Sequence, residues 1–402
     1  CREKIGLAFS KIAVSEALVF NYFYDNGIKV IPERERDVHR GVLTGAYVRV
    51  PTAGKHKYVC CNDFASLYPS TIITCNLSFE NYVGDDFTEE ELEVYRKDPN
   101  YFVSVLGHVY KNDKDYAFKD IQATLKANRN TFKYLAKGLY ADVMDDVDKL
   151  LAGHTVKSRN YREEYVNAMK EIGYDIKSTV DLSGMDLYEF KQKLATLIEF
   201  YTSYEQAMKL LGNSMYGGSS HISFFWFNMS LANDITGEAR NVIHLMENHI
   251  PEYIRNEWPY MKDVHKQLGI TVDPEKAERI LKESGKSSFV DVIYGDTDSL
   301  YISYENLVKS INGYDKMTPE ERGRIVVSFN TGHLDAHNRE VMAKHYEERY
   351  VKSVQNFELE TLALAGVWLD VKKRYAQVLL WKDGKYYDTG KDLPMKAKGL
   401  EL

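Results

Sequence analysis

The spacing of apolar positions divides the chain into helical and extended stretches. Residues 14–24 read as a helix, followed by extended segments broken at Gly27, Pro32, Gly41, Gly45, Pro51 and Gly54. The run Lys57-Tyr58-Val59-Cys60-Cys61 predicts a strand with Asp63 at its end, and Pro69 suits the first turn of a helix after it. Two long helices are predicted next. Ile121, Leu125, Phe132, Leu135 and Leu139 share one face at a 3.6-residue period. Leu187, Phe190, Leu194, Leu197, Tyr201, Tyr204, Met208 and Leu211 alternate by three and four without a break. Gly173 and Gly184 bracket the link, so the pair reads as an antiparallel helical hairpin; a coiled-coil dimer would also bury such stripes. Further on, residues 289–294 and 300–304 predict two strands around Gly295-Asp296-Thr297-Asp298, a hairpin pattern. Helical sequence then runs to about Tyr350, and extended segments follow with a turn at Asp383-Gly384.

With 402 residues the chain can hold two to four units with cores of their own. Its 44% hydrophobic content is ordinary for a globular protein, and no apolar run approaches the roughly 18 residues of a membrane span. The chain begins with Cys1 rather than Met and lacks a signal-peptide pattern, so it reads as a piece of a longer protein from a reducing compartment. Cys1, Cys60, Cys61 and Cys75 form no C-x-x-C pair, which predicts four free thiols.

A net charge of −7 argues against a nucleic-acid partner unless charge is segregated. It is segregated. Residues 371–398 carry eight Lys or Arg, and residues 117–137 carry five basic residues against one acidic. The acidic excess sits elsewhere, at 85–93 and 144–148. Basic surfaces are thus available locally.

Four groups of residues suggest chemistry. Asp63 ends one strand, and Asp296 and Asp298 sit at a hairpin tip; magnesium needs only a few such carboxylates when substrate phosphates and water complete its shell. Read alone, D-T-D is equally a turn-former. Lys126, Arg129, Lys133 and Lys137 share a helix face, able to hold a triphosphate or simply to be solvated. Lys209, Asn213 and Tyr216 share another face, and Gly217-Gly218 is placed to end that helix as a glycine cap. Lys372-Lys373-Arg374-Tyr375 sets three cations beside an aromatic, a pattern that suits phosphate contacts or a solvated edge.

Taken together these segments resemble family B DNA polymerases, in particular the replicative enzymes of tailed bacteriophages. Asp63-Phe64-Ala65-Ser66-Leu67-Tyr68-Pro69-Ser70 resembles the family's D-x-x-S-L-Y-P-S. Lys209 to Gly217 resembles K-x-x-x-N-S-x-Y-G, Tyr294 to Ser299 is similar to Y-G-D-T-D-S, and Lys372 to Tyr375 matches K-K-R-Y. The resemblance runs from about Ile12 to the end.

It implies an α+β fold: a palm, built as an antiparallel sheet with packed helices, and a helical-hairpin fingers subdomain. The implied layout is an N-terminal segment at 1–62, palm at 63–116, fingers at 117–212, palm again at 213–392 and the start of a thumb at 393–402. It also implies a catalytic set of Asp63, Asp298 and Asp296, with two magnesium ions, manganese able to substitute, on Asp63, Asp298 and the Phe64 carbonyl. Arg129, Lys133, Lys209, Asn213, Tyr216, Ser66, Leu67 and Tyr68 would bind dNTP, with Tyr68 as the steric gate under the sugar. Lys372, Lys373, Arg374 and Tyr375 would hold DNA, and Glu358 or Glu360 would be a further palm carboxylate. The implied partners are primer-template DNA, dNTP and a sliding clamp reached through segments beyond this chain, with no membrane. The implied setting is viral genome replication in the cytoplasm of an infected cell. The proofreading exonuclease of the family is expected upstream of this chain, and K-K-R-Y rather than K-x-Y suggests a nucleic-acid primer. A non-catalytic nucleic-acid-binding relic, a coiled-coil scaffold and an RNA-making polymerase are the rival readings.

Overall fold

Helices Ala117–Gly138 and Leu187–Ser219 pack against each other in the computed structural model, which describes residues 11–28 and 42–400. Gln122 donates to the Gly212 carbonyl at 2.7 Å, while Phe132 stacks on Tyr201, so the two helices run antiparallel within one chain. The apolar stripes meet in a core that includes Leu139, Phe190, Leu194, Leu197 and Tyr201. Pro32 and Gly41, expected breaks, and Cys1 lie outside the described residues.

The link between these helices is not a short turn. The first helix continues through a π-helical turn, Leu139–Met144, into Asp145–Leu151. A further helix, Glu163–Glu171, then packs on it. At Gly138 an added Cβ would lie 2.0 Å from the Tyr165 hydroxyl, so glycine there admits the ring. Gly217-Gly218 does not cap the second helix. The helix runs to Ser219 and ends on Ser220; the buried Trp226 indole lies where a Cβ on Gly218 would sit, so glycine there admits the ring. Among the described residues these helices, with Lys11–Asp25, form one compact unit of 11–28 and 117–227.

Described residues 42–116 and 228–400 form the second unit. Its strands, in chain order, are β1 Gly54–Phe64, β2 Tyr82–Gly84, β3 Tyr101–Val103, β4 Val109–Lys111, β5 Asp291–Asp296, β6 Ser299–Ser303, β7 Phe357–Trp368, β8 Tyr375–Lys382, β9 Lys385–Tyr386 and β10 Met395–Lys398. Antiparallel pairing gives the order β10-β8-β7-β1-β6-β5, with β9 on β8; β2, β4 and β3 make a small separate sheet. The expected strands are present with shifted ends: β5 starts at Asp291 rather than 289, and β6 stops at Ser303. Gly54 opens β1 instead of breaking it.

Alternation along the strands sets one core. Val59, Cys61, Ile293, Tyr294, Tyr301, Ala363, Trp368, Tyr375 and Leu379 pack together. Helices Met229–Glu257, Pro319–Phe329 and Asp335–Glu347 pack against the sheet. Asp383 and Gly384, both at positive φ, make the tight turn between β8 and β9 that the sequence suggested. Cys60, Cys61 and Cys75 are free and buried, and burial pushes the Cys61 thiol up to about 12. The result is a mixed fold of helices and antiparallel sheet.

Candidate active site

β1 is the central strand, flanked by β6 and β7. Its register sets Asp63 opposite Ser299 on one side and Glu358 on the other. The Phe64 N–H donates to the Asp298 carbonyl at 2.8 Å. Asp63 and Asp298, more than 200 residues apart in sequence, are therefore neighbours through backbone pairing alone, and both are half-buried. A register shift between Cys61 and Asn62 precedes Asp63, a bulge of the kind that re-aims a side chain. Of the two glutamates weighed as a further carboxylate, Glu358 is the one directly across from Asp63, and it is paired with Arg339 at 2.9 Å.

The β5–β6 turn carries Asp298. Thr297 sits at φ 64, costly for a β-branched residue, and the Asp298 N–H donates to the Asp296 carbonyl at 2.7 Å. An outer segment braces this turn. The Tyr47 carbonyl accepts from Thr297 N–H at 2.8 Å, and Arg49 N–H donates to the Gly295 carbonyl at 3.0 Å. Both side chains are tied to Glu247, and burial together with that carboxylate pushes the Tyr47 phenol up to about 12. Sequence reasoning missed Tyr47, Arg49 and Glu247; a partner some 200 residues away leaves no local signal.

Asp296 is 7% exposed and ion-paired to Lys398 at 2.9 Å and Lys373 at 3.1 Å. Burial alone would raise its carboxyl; the two ammonium groups outweigh that and hold it below the usual range. Lys372, Lys373 and Arg374 are exposed between β7 and β8. Tyr375 is not. It is 1% exposed and shares a 2.8 Å hydrogen bond with Tyr301, so its ring is core and offers DNA no surface.

After β1 the chain turns through Ser66, at φ 56, into helix Leu67–Cys75, with Pro69 in the first turn as expected. Tyr68 is half-buried, whereas Leu67 is 3% exposed. The Leu67 side chain is therefore core, and only its backbone, at the helix N-terminus, suits a phosphate.

Within the helical unit, Lys133 and Lys137 are exposed and Lys126 is half-buried. Burial, and then the charge on Arg129, push the Lys126 ammonium below its usual range. Arg129 donates from Nε to Glu205 at 2.6 Å. Lys209 and Asn213 are exposed and Tyr216 half-buried along one helix face.

Among the described residues no cluster of three or more His, Cys, Asp or Glu forms a closed metal site. The hard donors at the strand ends, Asp63, Asp298 and the Phe64 carbonyl, suit a different kind of site. They fit magnesium that keeps waters and takes substrate phosphate as ligand.

Comparison with known proteins shows the family of the chain. The family described as DNA polymerase family B matches residues 11–149 and 188–320. The chain is 23% identical to the DNA-directed DNA polymerase of Escherichia phage RB69, over 99% of this chain and 42% of that protein. It is 23% identical to that of Enterobacteria phage T4, over 80% of this chain and 33% of the relative. A DNA polymerase of Archaeoglobus fulgidus is 35% identical over 25% of the chain and 11% of its own length. The chain thus spans less than half the length of these relatives. With the family matched over more than half of its residues, the chain belongs to DNA polymerase family B.

Proposed function

We propose that this chain carries the catalytic centre of a DNA-directed DNA polymerase, acting in viral genome replication in the infected cell. The substrates are primer-template DNA and dNTP; the primer 3′-hydroxyl attacks the α-phosphorus and pyrophosphate leaves. The observation that carries the reading is the backbone pairing that sets Asp63 beside Asp298 at the ends of adjacent strands.

Asp63, Asp298 and the Phe64 carbonyl would hold two magnesium ions, for which manganese can substitute. Bound there, such ions lower the pKa of an attacking hydroxyl and offset charge on the phosphates. The remaining work belongs to side chains that position and neutralise. In this reading the sheet unit is the palm and the helical unit the fingers. Arg129, Lys133 and Lys209 neutralise the triphosphate, Asn213 and Tyr216 line the base-pair pocket, and Tyr68 packs under the sugar. Lys372, Lys373 and Arg374 hold the duplex through its phosphates. Asp296 acts from behind: by pairing with Lys373 and Lys398 it fixes the loop that presents these cations.

Incubation with primer-template, magnesium and labelled dNTP or rNTP tests the reading. Template-dependent extension with dNTP is expected; binding of DNA without extension would leave only a nucleic-acid-binding module.

A further inference from the structure

The second long helix carries a charged residue where its apolar stripe should be. The three-four alternation points to Tyr204 as the residue buried after Tyr201. Tyr204 is instead 43% exposed, and Glu205 takes the inner position at 8%. A carboxylate so placed is costly unless it is paired. Its partner is Arg129, whose Nε donates to Oε1 at 2.6 Å; the second oxygen accepts from the Gln206 amide at 2.8 Å. Both oxygens are thus engaged.

The pair lies inside the rows of residues assigned above to the nucleotide. Glu205 stands one helical turn before Lys209 and two before Asn213, and Arg129 stands one turn before Lys133. We propose that Glu205 is a positioning residue for nucleotide binding, holding the Arg129 guanidinium in the orientation in which it meets the triphosphate. The inference rests on the reading of this chain as a polymerase.

The physical case has two parts. A guanidinium is planar, with its donors in a fixed fork, so a hydrogen bond at Nε sets the plane in which the terminal N–H groups point. The long arginine side chain is then ordered before the nucleotide arrives, and the ordering need not be supplied by binding. The second part is electrostatic. Lys126, Arg129 and Lys133 crowd one helix face, and a carboxylate among them offsets their mutual repulsion. A carboxylate that merely competed with phosphate for Arg129 would have the opposite signature, because its removal would tighten nucleotide binding.

The test measures primer extension against dNTP concentration for the wild type, Glu205→Ala and Glu205→Gln. Glu205→Ala is expected to raise the dNTP KM about tenfold with kcat changed much less, since one charge-assisted contact is lost before chemistry. Glu205→Gln, whose amide oxygen still accepts from Nε–H but carries no charge, should fall between wild type and Glu205→Ala. In an Arg129→Ala background, Glu205→Ala should shift KM no further. Circular dichroism checks the fold; if Glu205→Ala does not fold, Glu205→Asp, one methylene shorter, replaces it. An unchanged or lowered KM in the shortened variant overturns the inference. Calorimetry with inorganic tripolyphosphate, run in parallel, separates the two claims. A wild type that extends no primer, while Glu205→Ala still loses tripolyphosphate affinity, overturns the polymerase reading alone. Extension by the wild type with an unmoved KM in the variant overturns the positioning role alone.

Discussion

Phe64 and Asp298 are joined N–H to carbonyl at 2.8 Å, and this single backbone hydrogen bond fixes the distance between two strand ends that each present an aspartate. Asp63 is placed by sheet register and Asp298 by the tight turn between β5 and β6, and the bond that joins them is backbone to backbone, so replacing either side chain leaves it intact.

Asp63→Asn and Asp298→Asn should therefore each abolish primer extension without loss of fold. Single-turnover extension, with circular dichroism beside it, reads both. A variant that keeps more than about a tenth of the wild-type rate, a barrier change of only ~1.4 kcal/mol, is incompatible with a shared metal ligand.

Arg129 and Lys133 separate affinity from stability. Loss of a charge-assisted contact at either should weaken dNTP binding by about 1.5–3 kcal/mol while affinity for primer-template stays put. Lys133 is exposed, so Lys133→Ala should unfold at the wild-type temperature. Arg129→Ala leaves Glu205 buried without its cation and should also melt earlier. Nucleotide titration and thermal melts of the two variants check the contrast.

Tyr68 sits in the first turn of the helix that follows β1, within the motif that carries Asp63, and is half-buried. If its ring closes the space beneath the sugar, Tyr68→Ala should raise rNTP use far more than it alters dNTP use. Competition of the two on one template gives the ratio; an unaltered ratio removes Tyr68 from the gate.

A pH dependence is expected from a histidine cluster in the sheet unit. His249 and His337 meet Nε2 to Nε2 at 2.9 Å, His333 meets the Tyr253 hydroxyl at 2.8 Å, and Tyr253 stacks on His337. Burial holds all three imidazoles below their ordinary value of 6.5, against the opposing pull of Glu252 on His249 and Glu340 on the other two. The neutral forms are the ones the fold favours. Their contribution is full above pH 6.5 and is lost as pH falls through the depressed values. Urea unfolding between pH 7.5 and 5 should show stability dropping, and His249→Ala with His337→Ala should flatten the slope.

How much of this could be read from the sequence varied with the range of the interaction. The strand before Asp63 and the hairpin around Asp296-Thr297-Asp298 were visible because alternation and turn residues are local. The apolar faces of the two long helices were visible for the same reason. The Arg129–Glu205 pair was hidden, since Tyr204 fits the three-four pattern as well as Glu205 fits the burial. The helix at 163–171 lies before Gly173, outside the segment that Gly173 and Gly184 bracket, and those two turns give no sign of it. Tyr375 looked like part of a basic surface motif, but strand alternation points it into the core opposite its exposed neighbours. Nothing near Asp296 announces Lys398, which is 102 residues away.

The strand order has a consequence for how the chain is made. β1 is made well before its two partners, β6 and β7, which are separated from it by most of the chain. At about 5–20 residues per second, a ribosome needs on the order of 15–60 s to pass from Phe64 to Trp368. Until β6 emerges the apolar run Tyr58-Val59-Cys60-Cys61 has two unpaired edges, and one of them stays open until β7 follows. Such an edge recruits whatever strand it meets. Synthesis of this protein thus carries a long window of vulnerability to aggregation, and its yield should depend on chaperones that shield nascent strands more than on the stability of the finished fold.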